Sequence, residues 1–251
     1  FGGGLWLYLQ QTVGVNIANA KTMEYFAGYL LEKSLAIDNV FVWLMIFAAF
    51  AIPPALQRQL LLYGVLGAIV LRTIFIFIGA WFVQEFSWIL YLFGAFLVYT
   101  GFKFLKGQDE EDTPIEDMAL LKWLRKQMRI TPNLAGNKFF VRQNGVLWAT
   151  PLFLVLILVE ASDVIFAVDS IPAIFAVTSD PFIVLTANLM AILGLRAMFF
   201  LLAGSASKMH YLPYGLGVIL MFIGTKMLLL DVFHMPIWIS LGFIVVVLAI
   251  T

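Results

Sequence analysis

Cysteine is absent from all 251 residues. That removes disulfides, thiolate metal sites and thiol catalysis, and leaves the redox compartment open. Charge is scarce: 12% of residues are charged, about half the share of a soluble domain. Lys plus Arg and Asp plus Glu balance at 15 each. Net charge therefore says nothing about partners, and no nucleic-acid partner is expected. Histidine occurs only at His210 and His234, at the ends of apolar runs and away from the acids, where both read as interfacial residues.

Apolar residues dominate, at 63% of the chain. Many runs reach the roughly 20 residues that a helix needs to cross a bilayer. The expected fold is all-α: a polytopic transmembrane helix bundle. Complete spans are expected at about 25–51, 56–83, 88–105, 146–177, 182–204 and 212–230. The chain opens on Phe1 and three glycines without an initiator Met, and residues 1–20 read as the end of an earlier span plus an external loop. Residues 21–105 form a first three-helix unit, 106–145 a polar linker with a short amphipathic helix near 118–128, and 146–231 a second three-helix unit. Residues 232–251 start a final span.

Lys and Arg set the orientation of such a chain. The linker holds Lys106, Lys122, Arg125, Lys126, Arg129, Lys138 and Arg142. The turns after the second and fourth complete spans hold Glu85 and Asp180 but no Lys or Arg. The linker is therefore expected on the cytoplasmic side, together with Arg58 and Lys208. Its acidic cluster, 109–112, counts little in this rule.

The two units match each other. Glu32-Lys-Ser-Leu-Ala-Ile-Asp38-Asn39 aligns with Asp163-Val-Ile-Phe-Ala-Val-Asp169-Ser170. The segment 67–72, ending at Arg72, aligns with 191–196, ending at Arg196. Gly94, Gly101 and Lys103 align with Gly217, Gly224 and Lys226. Three ordered matches that include charged residues are hard to ascribe to shared apolarity. Three spans per copy force the second to enter the membrane from the opposite side. Inverted repeats of this kind are a transporter architecture, with the binding site at the midplane where the copies meet.

That midplane is where carboxylates fall. The first complete span carries Glu32, Asp38 and Asn39; the fourth carries Glu160, Asp163, Asp169 and Ser170. An isolated carboxylate in hydrocarbon costs roughly 3 kcal/mol even on insertion scales. Five of them need a shared compensation, by protons, metal ions or basic side chains. Carboxylates with Asn and Ser oxygens suit a hard cation such as Mn²⁺, Mg²⁺ or Ca²⁺. The expected ligand set is Glu32, Asp38, Asn39, Glu160, Asp163, Asp169, Ser170 and Asn188, the last on the fifth complete span. Arg72 and Arg196 are expected to compensate charge. Pro172 predicts a local break after Asp169–Ser170, making the fourth span the less regular helix and the larger contributor of ligands.

At these residues the chain resembles the TerC family of integral membrane proteins, in particular its Alx-like members. The matching segments are 32–43 (EKSLAIDNVFVW), 63–73 (YGVLGAIVLRT), 139–145 (FFVRQNG), 160–176 (EASDVIFAVDSIPAIFA) and 180–185 (DPFIVL). The resemblance implies a multi-pass protein of the bacterial inner membrane, with further N-terminal helices and a role in manganese export. It carries the family's intramembrane acids onto Glu32, Asp38, Glu160, Asp163 and Asp169.

The leading functional expectation is a secondary transporter, not an enzyme, that exports a divalent metal ion in exchange for protons. Mn²⁺ would be cargo, with no resident cofactor; manganese itself comes from the resemblance, the residues alone reaching a hard divalent cation. The alternative is a membrane scaffold that supports metalation of exported proteins, with 106–145 contacting the export machinery or a second copy of the chain. An intramembrane aspartyl hydrolase is a third reading, but Asp38 lacks a preceding Tyr and Asp169 a Gly-x-Gly lead.

Overall fold

The computed structural model describes residues 1–86, 88–106, 119–143, 145–202, 212–229 and 236–250, and every side chain in them except those of Asp38, Ala119, Leu212 and Pro213. The linker's acidic residues, Lys208, His210 and His234 thus lie outside the described residues.

The described chain is almost wholly helical. Its elements are α1 (Gly2–Thr12), α2 (Val15–Ala49), α3 (Pro54–Glu85), α4 (Ile89–Lys106), α5 (Ala119–Gln127), β1 (Phe140–Gln143), β2 (Val146–Ala149), α6 (Pro151–Phe175), α7 (Pro181–Leu193), α8 (Leu195–Leu202), α9 (Leu212–Leu228) and α10 (Ile237–Ile250). Prolines start α3, α6 and α7 at the first helical turn, where the missing N–H would be unsatisfied anyway. Asp180 caps α7 by accepting from the Phe182 and Ile183 amides.

Among the described residues four stretches are long and apolar enough to cross a bilayer: Pro54–Glu85, Ile89–Lys106, Pro151–Phe175 and Pro181–Leu202, the last being α7 and α8 end to end. Helix α2 has ample length at 35 residues, but Glu32, Lys33 and Asp38 interrupt its apolar run. It packs against α6, α7 and α10 in the bundle interior. Trp43, Phe47 and Phe199 are among its buried neighbourhood's largest side chains. By contrast Phe77, Trp81, Tyr99 and Leu201 are exposed, as a lipid-facing surface requires.

Helices α4 and α9 meet at a glycine seam. A Cβ built on Gly101 would stand 2.6 Å from the Gly217 carbonyl oxygen, and one on Gly224 2.7 Å from the Gly94 carbonyl oxygen. The partners run in opposite order, so the helices are antiparallel. Gly94 thus meets Gly224 and Gly101 meets Gly217, each from both sides of the seam.

Three local expectations change. The loop expected to close residues 1–20 is a single break at Val13–Gly14, with Gly14 at φ +94°, and α2 is already helical from Val15. The fourth complete span starts at Pro151 and not at 146, because 146–149 pair antiparallel with 140–143 from Phe140↔Ala149 to Gln143↔Val146. The Asn144-Gly145 step signals this hairpin, and Gly145 has φ +79°. Finally, α6 does not break at Pro172. The helix runs on to Phe175, although Pro172 forgoes the hydrogen bond to the Val168 carbonyl. The discontinuity falls in the fifth span, at Gly194 between α7 and α8.

The hairpin is tied to the bundle. Thr150 donates from its amide to the Phe139 carbonyl and from its hydroxyl to the Lys138 carbonyl. Ala149 donates to the Arg129 carbonyl and accepts from Thr131. Gln59 of α3 donates to the Asn137 carbonyl, and Tyr63 of α3 stacks edge-on against Phe139. Helix α5 buries Leu121 and Leu124 and packs on α6. Residues 119–150 thus form a collar around one end of α3 and α6.

Candidate functional site

Seven residues is about 20° short of two helical turns, so Glu32 and Asn39 share one stripe of α2, and Asp163 and Ser170 share one stripe of α6. The stripes face each other across the bundle, and Arg72 of α3 fills the space between them. Its Nη1 donates to Glu32 Oε2 at 2.7 Å and to Ser170 Oγ at 3.4 Å. Its Nη2 donates to Asp163 Oδ1 at 3.1 Å and its Nε to Asp163 Oδ2 at 3.3 Å. This is the bidentate fork that a guanidinium offers a carboxylate. Asn39 Nδ2 also donates to Asp163 Oδ1, at 3.1 Å. All five residues are buried, Arg72 to 2% exposure.

The cluster is not saturated. Glu32 Oε1, Asn39 Oδ1 and both amide atoms of Asn188 are buried without a hydrogen-bond partner in the described structure. Asn188 of α7 lies beside Glu32 but makes no well-formed hydrogen bond to it. Two carboxylates and one guanidinium leave one surplus negative charge when both acids are ionised. Unpaired buried polar atoms and surplus charge at one place mark a site that can accept a further cation or proton.

The eight expected ligands do not form one constellation. Glu32, Asn39, Asp163 and Ser170 converge on Arg72 with Asn188 adjacent. Glu160, one turn before Asp163, turns instead toward α3, where Gly67 leaves the space its carboxylate fills; its Oε2 is also buried without a partner. Asp169 lies six residues from Asp163, about 120° short of two turns, and faces α4. There it accepts from Thr100 Oγ1 at 3.2 Å and lines a cavity of about 320 Å³ with Thr100, Lys103 and Phe166. The side chain of Asp38 is outside the described ones. Among the described residues no three acidic or histidine side chains gather as metal ligands do.

Arg196 corrects a second expectation. It is exposed, on α8, and forms no ion pair with a described residue. Lys33 comes to the break instead. Its Nζ lies against Gly194 and donates to the Ala191 carbonyl at 3.4 Å, at the negative end of α7. Sequence reasoning missed Thr100, the Lys33–Gly194 contact and a cluster at the far end of α2. In that cluster Lys21 Nζ bridges Glu24 at 3.1 Å and Asp180 at 3.2 Å, and Thr178 donates to Glu24 at 2.6 Å. Thr100 could have been found as a polar residue inside an apolar span; the other two depend on which helices become neighbours.

Comparison with known proteins places this geometry in a family. Residues 17–251 match the family described as Integral membrane protein TerC family. A protein of Photorhabdus laumondii named "Putative membrane-bound redox modulator Alx" is 64% identical over all 251 residues, which cover 78% of its length. The protein of the same name in Escherichia coli K12 is 60% identical over the same shares. An uncharacterized membrane protein of Myxococcus xanthus is 48% identical over 97% of this chain and 74% of its own. No solved structure matches the chain. The chain is a multi-pass integral membrane protein and belongs to the TerC family.

Proposed function

We propose that this protein is a secondary transporter that exports a divalent cation, with Mn²⁺ the cargo, in exchange for protons across the bacterial inner membrane. The observation that carries the reading is the Arg72 cluster: carboxylates from two repeat-related helices, one internal cation between them, and buried oxygens without partners. Arg72 holds the position that an entering cation would have to take. Entry would move the guanidinium, bind the freed oxygens of Glu32, Asn39 and Asp163, and leave Ser170 and Asn188 to complete an all-oxygen shell of the hard type. Protons would return the carboxylates to neutrality after release.

The exchanged glycine pairs of α4 and α9 support two copies related by a two-fold axis in the membrane plane, the arrangement on which alternating access is built. The Lys and Arg of 106–145 support a cytoplasmic position for that segment. Manganese comes from the family resemblance together with the oxygen donors. The redox role in the relatives' printed name would reach this chain indirectly, through the cations it moves, since its 251 residues hold no thiol.

The test is Mn²⁺ flux in proteoliposomes with and without an opposing proton gradient, for wild type, Glu32→Gln and Asp163→Asn. Wild type should move Mn²⁺ only while the gradient stands. Each variant should lose roughly tenfold or more, the scale seen when a group at a metal site is removed. A wild type that moves no divalent cation, or variants with unaltered flux, would overturn the reading.

A further inference from the structure

The collar of residues 119–150 carries a charge pattern that the proposed transport does not use. Residues 119–149 contain six basic side chains, Lys122, Arg125, Lys126, Arg129, Lys138 and Arg142, and no acidic one. All six are exposed. On α5, with Leu121 and Leu124 turned to the core, the opposite face presents Trp123, 56% exposed, between Lys122 and Lys126. The hairpin adds Phe140 at 42% and Leu147 at 62% exposure. Large apolar side chains set among like charges are a poor surface for water and a good one for the boundary between acyl chains and headgroups.

Position agrees with composition. The collar is bonded to α3 through Gln59, in its second turn, and to α6 through its N-cap Thr150, close to where two helices long and apolar enough to cross a bilayer begin. A bilayer crossed by those helices would place the collar near its headgroups. Between α5, the segment after it and the end of α2 lies a cavity of about 610 Å³, within the range of small-ligand sites. Arg125, Thr131 and Asn133 supply its polar wall and Phe50, Met128 and Leu134 its apolar wall.

We propose that this collar is a binding surface for anionic phospholipid, with a phosphate headgroup in the Arg125–Thr131–Asn133 cavity and Trp123, Phe140 and Leu147 set into the leaflet around it. Fixed cations at a bilayer surface attract anionic lipid by an amount that falls with each charge removed and with added salt. Apolar anchors add a contribution that salt does not screen.

The test titrates the full chain, purified in neutral detergent, with phosphatidylglycerol and separately with phosphatidylcholine, counting retained lipid by native mass spectrometry. Wild type should retain phosphatidylglycerol in preference, and less of it as salt rises. The triple variant Arg125→Gln, Lys126→Gln, Arg129→Gln should lose roughly fivefold in affinity per charge removed, while Trp123→Ser should weaken both lipids and keep the preference. Equal retention of the two lipids by wild type overturns the proposal without reference to any variant. So does an undiminished preference in the triple variant. Displacement of phosphatidylglycerol by glycerol phosphate or by polyglutamate at matched charge also overturns it, because the surface would then serve a free phosphate ester or an acidic protein. The readout is lipid binding, so it stands or falls separately from Mn²⁺ flux.

Discussion

The two halves of the molecule treat their intramembrane arginines differently. In the first, Arg72 projects from an unbroken α3 into the space between α2 and α6 and is sealed there by Glu32, Asp163 and Ser170. In the second, Arg196 stands exposed beyond the Gly194 break, and Lys33 of the first half reaches across to that break. Two arginines aligned in the sequence thus have opposite surroundings, one in the core and one at the surface. On the transport reading, such inequality is what alternation requires: two similar copies in dissimilar conformations can exchange roles and so expose the site to opposite sides.

The comparison breaks hardest at Arg72. Replacing it by Met leaves Glu32 and Asp163 buried without their shared cation, and removing one partner of a buried ion network costs about 3–5 kcal/mol. Denaturant unfolding followed by helical signal should show that loss. Arg72→Lys should recover only part, because an ammonium cannot fork onto Asp163 and reach Glu32 together. A near-wild-type Arg72→Met protein would mean that the cluster is not what joins the halves.

The glycine seam is where the halves are alike, so it tests the symmetric part. Gly101→Leu drives a side chain into the Gly217 backbone, which has no flexible end to move aside. A loss of about 1–3 kcal/mol is expected by the same measurement. Gly242→Leu, where a Cβ would meet open space, is the control and should cost nothing. Smallest of all is Arg196→Gln, which should leave stability within about 0.5 kcal/mol, as for a surface change. A larger loss from Arg196 than from Arg72 would reverse the comparison.

The helical, membrane-spanning class was legible in the residues, because apolar run length is set by bilayer thickness. The Glu32–Asn39 and Asp163–Ser170 stripes follow from helical phase alone. Which neighbour each stripe meets does not. Asp169 and Ser170 are adjacent in the chain, yet one faces Thr100 and the other Arg72, because two different helices cover the two sides of α6. The hairpin was legible at Asn144-Gly145 and hidden by apolar residues that read equally well as the start of a span.

Composition and periodicity therefore determined that this chain spans a membrane and carries acids within its apolar helices, which need compensation because burying a carboxylate in hydrocarbon is costly. Only the tertiary structure decided which cation compensates which acid. A guanidinium reaches a carboxylate only if the helices that carry them become neighbours in the right rotation: Arg72 of α3 meets that condition between α2 and α6, and Arg196 of α8 does not.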